Sequence, residues 1–134
     1  MNLTSDIKTV VAKAAVAAGN TDITDATVID MAGYEGVRFI FLFDTLTSGT
    51  VTSVGVAGKD ENTPAAGTDD LEGTKITVAD TESGKAFIVD IAKPTKRYLR
   101  PFVKRATQNA VVSGIIADPH IWRMNRFARR SRRR

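Results

Sequence analysis

The sequence predicts an all-β fold. It is an antiparallel β-sandwich of jelly-roll type, with about eight strands, little helix and a basic C-terminal tail. Three observations predict it. Apolar residues recur with a period of two in one segment after another, as they do when strand side chains alternate between faces. Short polar clusters such as DTESG at 80–84 and TQN at 107–109 separate those segments with turn chemistry. One stretch, 85–117, holds three such segments in succession and reads as a β-meander.

Taken in order, Ile7, Thr9 and Val11 alternate against Lys8 and Val10 and give a first strand. AKAAVAAG at 12–19 is ambiguous, because alanine is the best helix former and a short helix over 12–18 competes with a strand. Gly19-Asn20 turns the chain, and 27–31 is a short second strand. VRFIFLFD at 37–44 is the most apolar segment. Val37, Phe39, Phe41 and Phe43 share one face and Ile40 and Leu42 the other, so it is central in a sheet or covered on both sides. Residues 50–57 return as a strand rich in valine and threonine. The stretch 58–73, GKDENTPAAGTDDLEG, has no period and reads as one long loop, a kind that is often functional or mobile. Residues 74–79 form a strand, and the meander follows. Phe87, Val89 and Ile91 share a face of its first strand. Leu99, Pro101 and Val103 share a face of the second, and Val111, Ser113 and Ile115 a face of the third. Eight strands in this length suit two packed sheets or a barrel, and the sandwich is the reading taken.

At 134 residues the chain has room for one domain with a core that needs no staples. It has no cysteine, which rules out a disulfide framework and a thiolate metal site. No apolar run reaches a membrane span. Asp6, Lys8 and Lys13 break up the N-terminal layout that a signal peptide needs. The charge is uneven. Nineteen basic and fifteen acidic residues leave a net charge of +4, yet seven of the arginines lie beyond residue 118 and no carboxylate does. The body 1–118 therefore carries 12 − 15 = −3 and the tail 119–134 carries +7. The domain boundary is placed there.

Candidate chemistry is sparse. The one histidine, His120, reads as an exposed residue where the domain ends, because no motif supports it as a base. Asp60, Glu61, Asp69, Asp70 and Glu72 in the long loop match no EF-hand spacing, and no phosphate-binding glycine pattern occurs. No catalytic, cofactor or metal residues are therefore assigned. Basic residues cluster on the meander: Lys93, Lys96, Arg97, Arg100, Lys104 and Arg105. Tyr98 and Phe102 share a face with Arg100 and Lys104, as a surface for single-stranded nucleic acid would arrange them. No RNP-type motif accompanies them. The preferred reading is a polar interface on Arg97, Tyr98, Arg100, Phe102 and Arg105, with Arg100 and Arg105 pairing with carboxylates of a neighbouring chain. Pro101 lacks an N–H and fits an edge strand or a bulge, where another subunit would meet it. The tail IWRMNRFARRSRRR adds Trp122, Arg123, Arg126, Phe127, Arg129 and Arg130. Three roles compete for it: binding nucleic-acid phosphates, docking on an acidic protein surface with Trp122 as anchor, or simple solvation. Solvation ranks last, since it needs neither Trp122 nor Phe127.

VIDMAGYEGVRFIFLF at 28–43, LEGTKITVAD at 71–80 and KPTKRYLRPFVKRATQNAVVSGIIA at 93–117 carry a resemblance. Over roughly residues 5–117 the chain resembles a family of small virion structural proteins of tailed bacteriophages. The resemblance implies a capsid decoration or cement protein without enzymatic activity or cofactor, commonly a homotrimer, whose partner is the major capsid protein. It implies a place on the capsid surface of the virion, after synthesis in the host cytoplasm, and no membrane. A head–tail junction or tail component is the alternative, and a nucleic-acid-binding module acting through the tail is a third. The arginine-rich tail departs from the family pattern, so no role for it follows from the resemblance.

Overall fold

Strands form where the alternation is strongest. The computed structural model describes residues 7–49 and 52–121. Trp122, Arg123, Arg126, Phe127, Arg129 and Arg130, and the tail reading that rests on them, lie outside the described residues. Eight strands follow in order: β1 (Val10–Lys13), β2 (Ile29–Asp30), β3 (Gly36–Phe43), β4 (Thr52–Lys59), β5 (Ile76–Val78), β6 (Ala86–Ala92), β7 (Tyr98–Lys104) and β8 (Val112–His120). They make two four-stranded antiparallel sheets. Sheet A has the order β1-β8-β3-β6 and sheet B the order β2-β7-β4-β5. Except between β4 and β5, each strand is followed by one in the opposite sheet. This is the wiring of an eight-stranded jelly roll.

The core lies between the sheets and is built from alternate residues. Val37, Phe39, Phe41 and Phe43 of β3 are buried and face Val54, Val56, Leu99 and Val103 of sheet B within one apolar cluster. Phe43 meets Phe87 edge-on at 5.7 Å between ring centroids, a favoured aromatic geometry. Gln108 is fully buried and satisfied. Its Oε1 accepts the Thr52 N–H at 3.1 Å and its Nε2 donates to the Val78 carbonyl at 3.2 Å, which ties β4 to β5 where their ladder ends.

One ambiguity is resolved and two expectations change. No helix forms over 12–18, nor anywhere among the described residues. The backbone there is taken by tertiary partners: Val16 exchanges hydrogen bonds with Val112 at 2.7 and 3.1 Å, and the Ala17 carbonyl accepts from Arg105. Tertiary pairing outweighs alanine's helix propensity. β8 also runs on to His120, which bridges to Ile7 and pairs with Gly36, so the described domain extends two residues past the expected boundary. Finally, β7 is an interior strand, flanked by β4 along its length and by β2 at Leu99 and Tyr98. Pro101 is tolerated there for a local reason. Its partner Val56 directs its N–H and carbonyl to Thr74 and Leu71 on the far side, so the Val56–Pro101 pair exchanges no ladder bond. On Pro101's other side β2 has ended, and pairing resumes only at the bridge between Ile23 and Val103.

Candidate interaction surfaces

The basic cluster lies on and around β7, and its members bond largely within their own chain. Tyr98, Arg100, Phe102 and Lys104 do share the outer face of sheet B. Phe102 is nonetheless only 2% exposed. Its ring lies over Gly55, its partner on β4: a Cβ added at Gly55 would come within 2.6 Å of the ring. The loop 60–73 folds back over this face. Gly58 donates to the Asp69 carbonyl, Leu71 to the Val56 carbonyl, Ala57 bridges to Asp70, and Arg100 Nη1 donates to the carbonyl of the buried Pro64 at 3.1 Å. The acidic residues of the loop hold its own turns, with Asp69 accepting from the Ala65 N–H at 2.8 Å and Asp70 from the Gly67 N–H at 2.6 Å. The long aperiodic stretch is a fastened flap. It leaves no bare aromatic platform of the kind that stacks bases.

Arg105 is withdrawn further. It is 8% exposed, and its guanidinium reaches three backbone carbonyls. Nε donates to Thr21 at 2.7 Å, and Nη1 donates to Ala17 at 2.6 Å and Ala110 at 3.1 Å. Gly19 leaves room for it, since a Cβ there would sit 3.3 Å from Nη2. Within the chain, then, Phe102 and Arg105 are away from the surface, and the carbonyls of two loops take the place of the neighbouring carboxylates foreseen for Arg105. The fork of an arginine suits that task.

Arg97, Tyr98 and Arg100 stay at or near the surface. Arg97 is exposed. It grips Asp30 with both Nε and Nη2, at 3.0 and 3.1 Å, and its guanidinium lies 5.0 Å from the Tyr98 ring centroid. Lys96 pairs with Asp60 at 3.7 Å. The Arg97 guanidinium, with help from the Ala32 N–H, holds the Asp30 carboxyl below the ordinary carboxylate value of 3.8. A carboxylate whose value falls on folding adds stability above pH 3.8, and that stability is lost as the pH drops through the lower folded value. An NMR titration should therefore find the Asp30 midpoint below 3.8, and Arg97→Gln should move it back up toward that value. A midpoint unmoved by Arg97→Gln would remove the pair from the account.

The outer face of sheet A is different. Val11, Ile116, Ile40 and Ile88 stand in register on β1, β8, β3 and β6, one apolar row across the whole sheet. Val11 is 65% exposed and Ile88 48%; both are on edge strands. The next row is charged. Arg38 on β3 stands between Asp118 on β8 and Asp90 on β6, and bonds Asp90 at 2.9 Å. A shallow cavity of about 370 Å³ opens beside this row, lined by Ile7, Arg38, Ile91, Asp118 and His120 among others. His120 is half-buried there, with Nδ1 at 3.1 Å from the Asp118 carbonyl. Among the described residues no three His, Cys, Asp or Glu side chains are placed to hold a metal ion.

No protein-family model matches the sequence, and no curated protein is similar to it. Solved structures do share its fold. One is a protein of the Bacillus endospore appendages, a family of disulfide-linked pili. It aligns with a TM-score of 0.50 at 12% identity over 87% of this chain and 89% of its own. Another belongs to the T13 viral particle of IBDV, with a TM-score of 0.50 at 15% identity over 85% of this chain. This chain spans about 31% of that viral protein's length. A protein of the Kashmir bee virus empty particle aligns more loosely, with a TM-score of 0.44. The class is thus an all-β sandwich of the kind found in viral particles and pili. Without cysteine, this chain has no means to be joined by disulfides as the pili are.

Proposed function

We propose that the protein is a non-enzymatic structural component of a virus particle, a decoration or cement protein that adheres to the major capsid shell of a tailed bacteriophage. The observation that carries this reading is the apolar row Val11–Ile116–Ile40–Ile88 on a rigid sandwich. It is an adhesive strip on one face, while the other face is closed by its own loop. The resemblance to tailed-phage virion proteins and the fold shared with a viral-particle protein support it. The protein acts as a homo-oligomer on the capsid surface. Arg97, Tyr98 and Arg100 add polar contacts at the rim. Trp122, Arg123, Arg126, Phe127, Arg129 and Arg130 form an attachment arm whose charge seeks the carboxylates of the shell. Each contact is weak, and many copies acting together give avidity.

Particles assembled without the protein and then heated test this. They should release their genome at lower temperature and show vacant positions over the shell. Unchanged stability and an unchanged shell surface overturn the reading. A few copies per particle, counted by quantitative mass spectrometry, would move the protein to the head–tail junction. Steeply salt-dependent DNA binding that is lost on deleting 122–134 would assign the tail to nucleic acid.

A further inference from the structure

We infer that β6 is a self-pairing edge, through which two copies join their A sheets into one continuous eight-stranded sheet. This goes beyond the decoration reading and stands or falls separately from it.

A sheet edge displays unpaired backbone groups, and proteins blunt such edges with short strands, bulges or covering loops. Three of the four edges here are blunted. β2 has two residues and β5 three. β1 is kinked by a bulge between Val11 and Lys13, and its Ala12 carbonyl is taken by the Thr27 N–H at 2.8 Å. β6 has seven residues paired to β3 without a break in register. Phe43 donates to the Lys85 carbonyl at one end of β6, and Lys93 donates to the Glu35 carbonyl at the other. Backbone direction alternates along a strand, so Lys85, Phe87, Val89, Ile91 and Lys93 address β3. Ala86, Ile88, Asp90 and, at the strand's end, Ala92 then direct their N–H and C=O groups outward. None of these four takes part in a turn or loop bond among the described residues, and all four side chains are exposed.

A second copy fits this edge in one register above others, because a two-fold at Ile88 sets apolar against apolar, whereas one at the strand's midpoint, Val89, would set Ile88 against Asp90. An antiparallel two-fold at Ile88 sets Ile88 against its own counterpart, and Ala86 against Asp90 on either side. These three hydrogen-bonded pairs supply about six bonds. The small Ala86 leaves Asp90 its bond to Arg38. Both Ile88 side chains come together on the outer face, so the half-exposed residue gains an apolar neighbour and the apolar row runs on into the next molecule. The ends match in charge. The same register brings the turn 80–84, with Asp80 and Glu82, beside the partner's turn after β6, with Lys93 and Lys96. The contact is isologous, so it is used up in pairs. It differs from the three-fold assembly that the family resemblance implied.

Sedimentation equilibrium of the full chain at roughly 100 μM tests the pairing, since a Kd of about 10 μM or tighter leaves mostly dimer. The expected mass is twice 14.5 kDa. Ile88→Cys, in a chain with no other cysteine, should close an intermolecular disulfide under mild oxidation. Opposed Cα atoms in such a pair lie about 5.5 Å apart, within disulfide reach. Val11→Cys, on the opposite edge, should not. Ile88→Pro removes only an outward N–H and should weaken the dimer by about tenfold or more, with circular dichroism unchanged. If that variant misfolds, the cross-link still decides. A wild-type monomer overturns the inference. So does an oligomer that cross-links no better through position 88 than through position 11, which would mean that the tail or another surface holds the copies together.

Discussion

Replacing Arg105 by alanine is expected to destabilise the domain by about 3–5 kcal/mol. Hydrogen bonds to a charged group are worth about 1.5–3 kcal/mol each, and buried carbonyls left without a donor add a desolvation cost. The guanidinium serves three carbonyls, those of Ala17, Thr21 and Ala110, from a site that is 8% exposed. Two of them belong to the segment between β1 and β2, which lies 84 and 88 residues away in sequence. Losing the side chain therefore frees a loop as well as opening a hole. Small domains have only about 5–15 kcal/mol of stability in all, so the urea midpoint should fall by roughly 2 M. Arg105→Lys should recover less than half of the loss, since one ammonium on a flexible stem cannot reproduce the planar fork. Hydrogen exchange at the Val16 and Val112 amides, next to the staple, should rise in both variants. A loss below about 1 kcal/mol for alanine, or full rescue by lysine, would show that the carbonyls find other donors.

The same residue marks where the sequence stops being legible. Period-two alternation and turn chemistry are local signals, and all eight strands can be read from them. Most face assignments hold as well: Val37, Phe39, Phe41 and Phe43 do point together into the core, but a register shift in β8 sends Val112 inward with Ile115, in place of the Val111 and Ser113 grouped with Ile115 in the sequence. What could not be read were roles set by a distant partner. Phe102 is written like an exposed aromatic on a basic face. Only Gly55, forty-seven residues earlier and opposite it across β4, makes it a buried one. Arg97 reads in the sequence as one member of a basic interface, and only the fold brings Asp30 beside it on β2. Pro101 points to an edge by general rule, and an interior strand tolerates it because β2 is so short. The Ala-rich 12–18 has helix propensity and no local competitor, and its competitors, Val112 and Arg105, lie at the other end of the chain.

These distant pairings also bear on where partners can bind. A basic cluster that bonds to Asp30, Asp60 and backbone carbonyls of its own chain offers less charge to a partner than its composition suggests. Exposed pairs of this kind contribute little to stability, about 0–1 kcal/mol each. Their larger effect is on specificity, because they neutralise sheet B's outer face and leave sheet A's apolar row as the surface with most to gain from burial.

A double-mutant cycle on Gly55 and Phe102 should give strong coupling. Phe102→Ala removes a ring that is 2% exposed and is expected to cost about 3–4 kcal/mol, in the range for buried aromatics. Gly55→Ala places a methyl 2.6 Å from the tip of that ring and 3.1 and 3.2 Å from its flanks. No rotation of the ring alone clears three contacts at that spacing, so the ring must lift, at an overpacking cost of about 1–3 kcal/mol. Lifting it presses on the flap that covers this face. Limited proteolysis within 60–68 should therefore accelerate in either single variant. Once Phe102 is alanine the methyl has open space, and alanine is a better strand residue than glycine by about 0.5–1 kcal/mol. Gly55→Ala should then be neutral or slightly stabilising. The double variant is expected to be about 1–3 kcal/mol more stable than the sum of the two single losses, which is the size found for residues in direct contact. Additive losses would mean that the ring does not depend on the missing side chain at Gly55. The closed outer face of sheet B would then need another explanation.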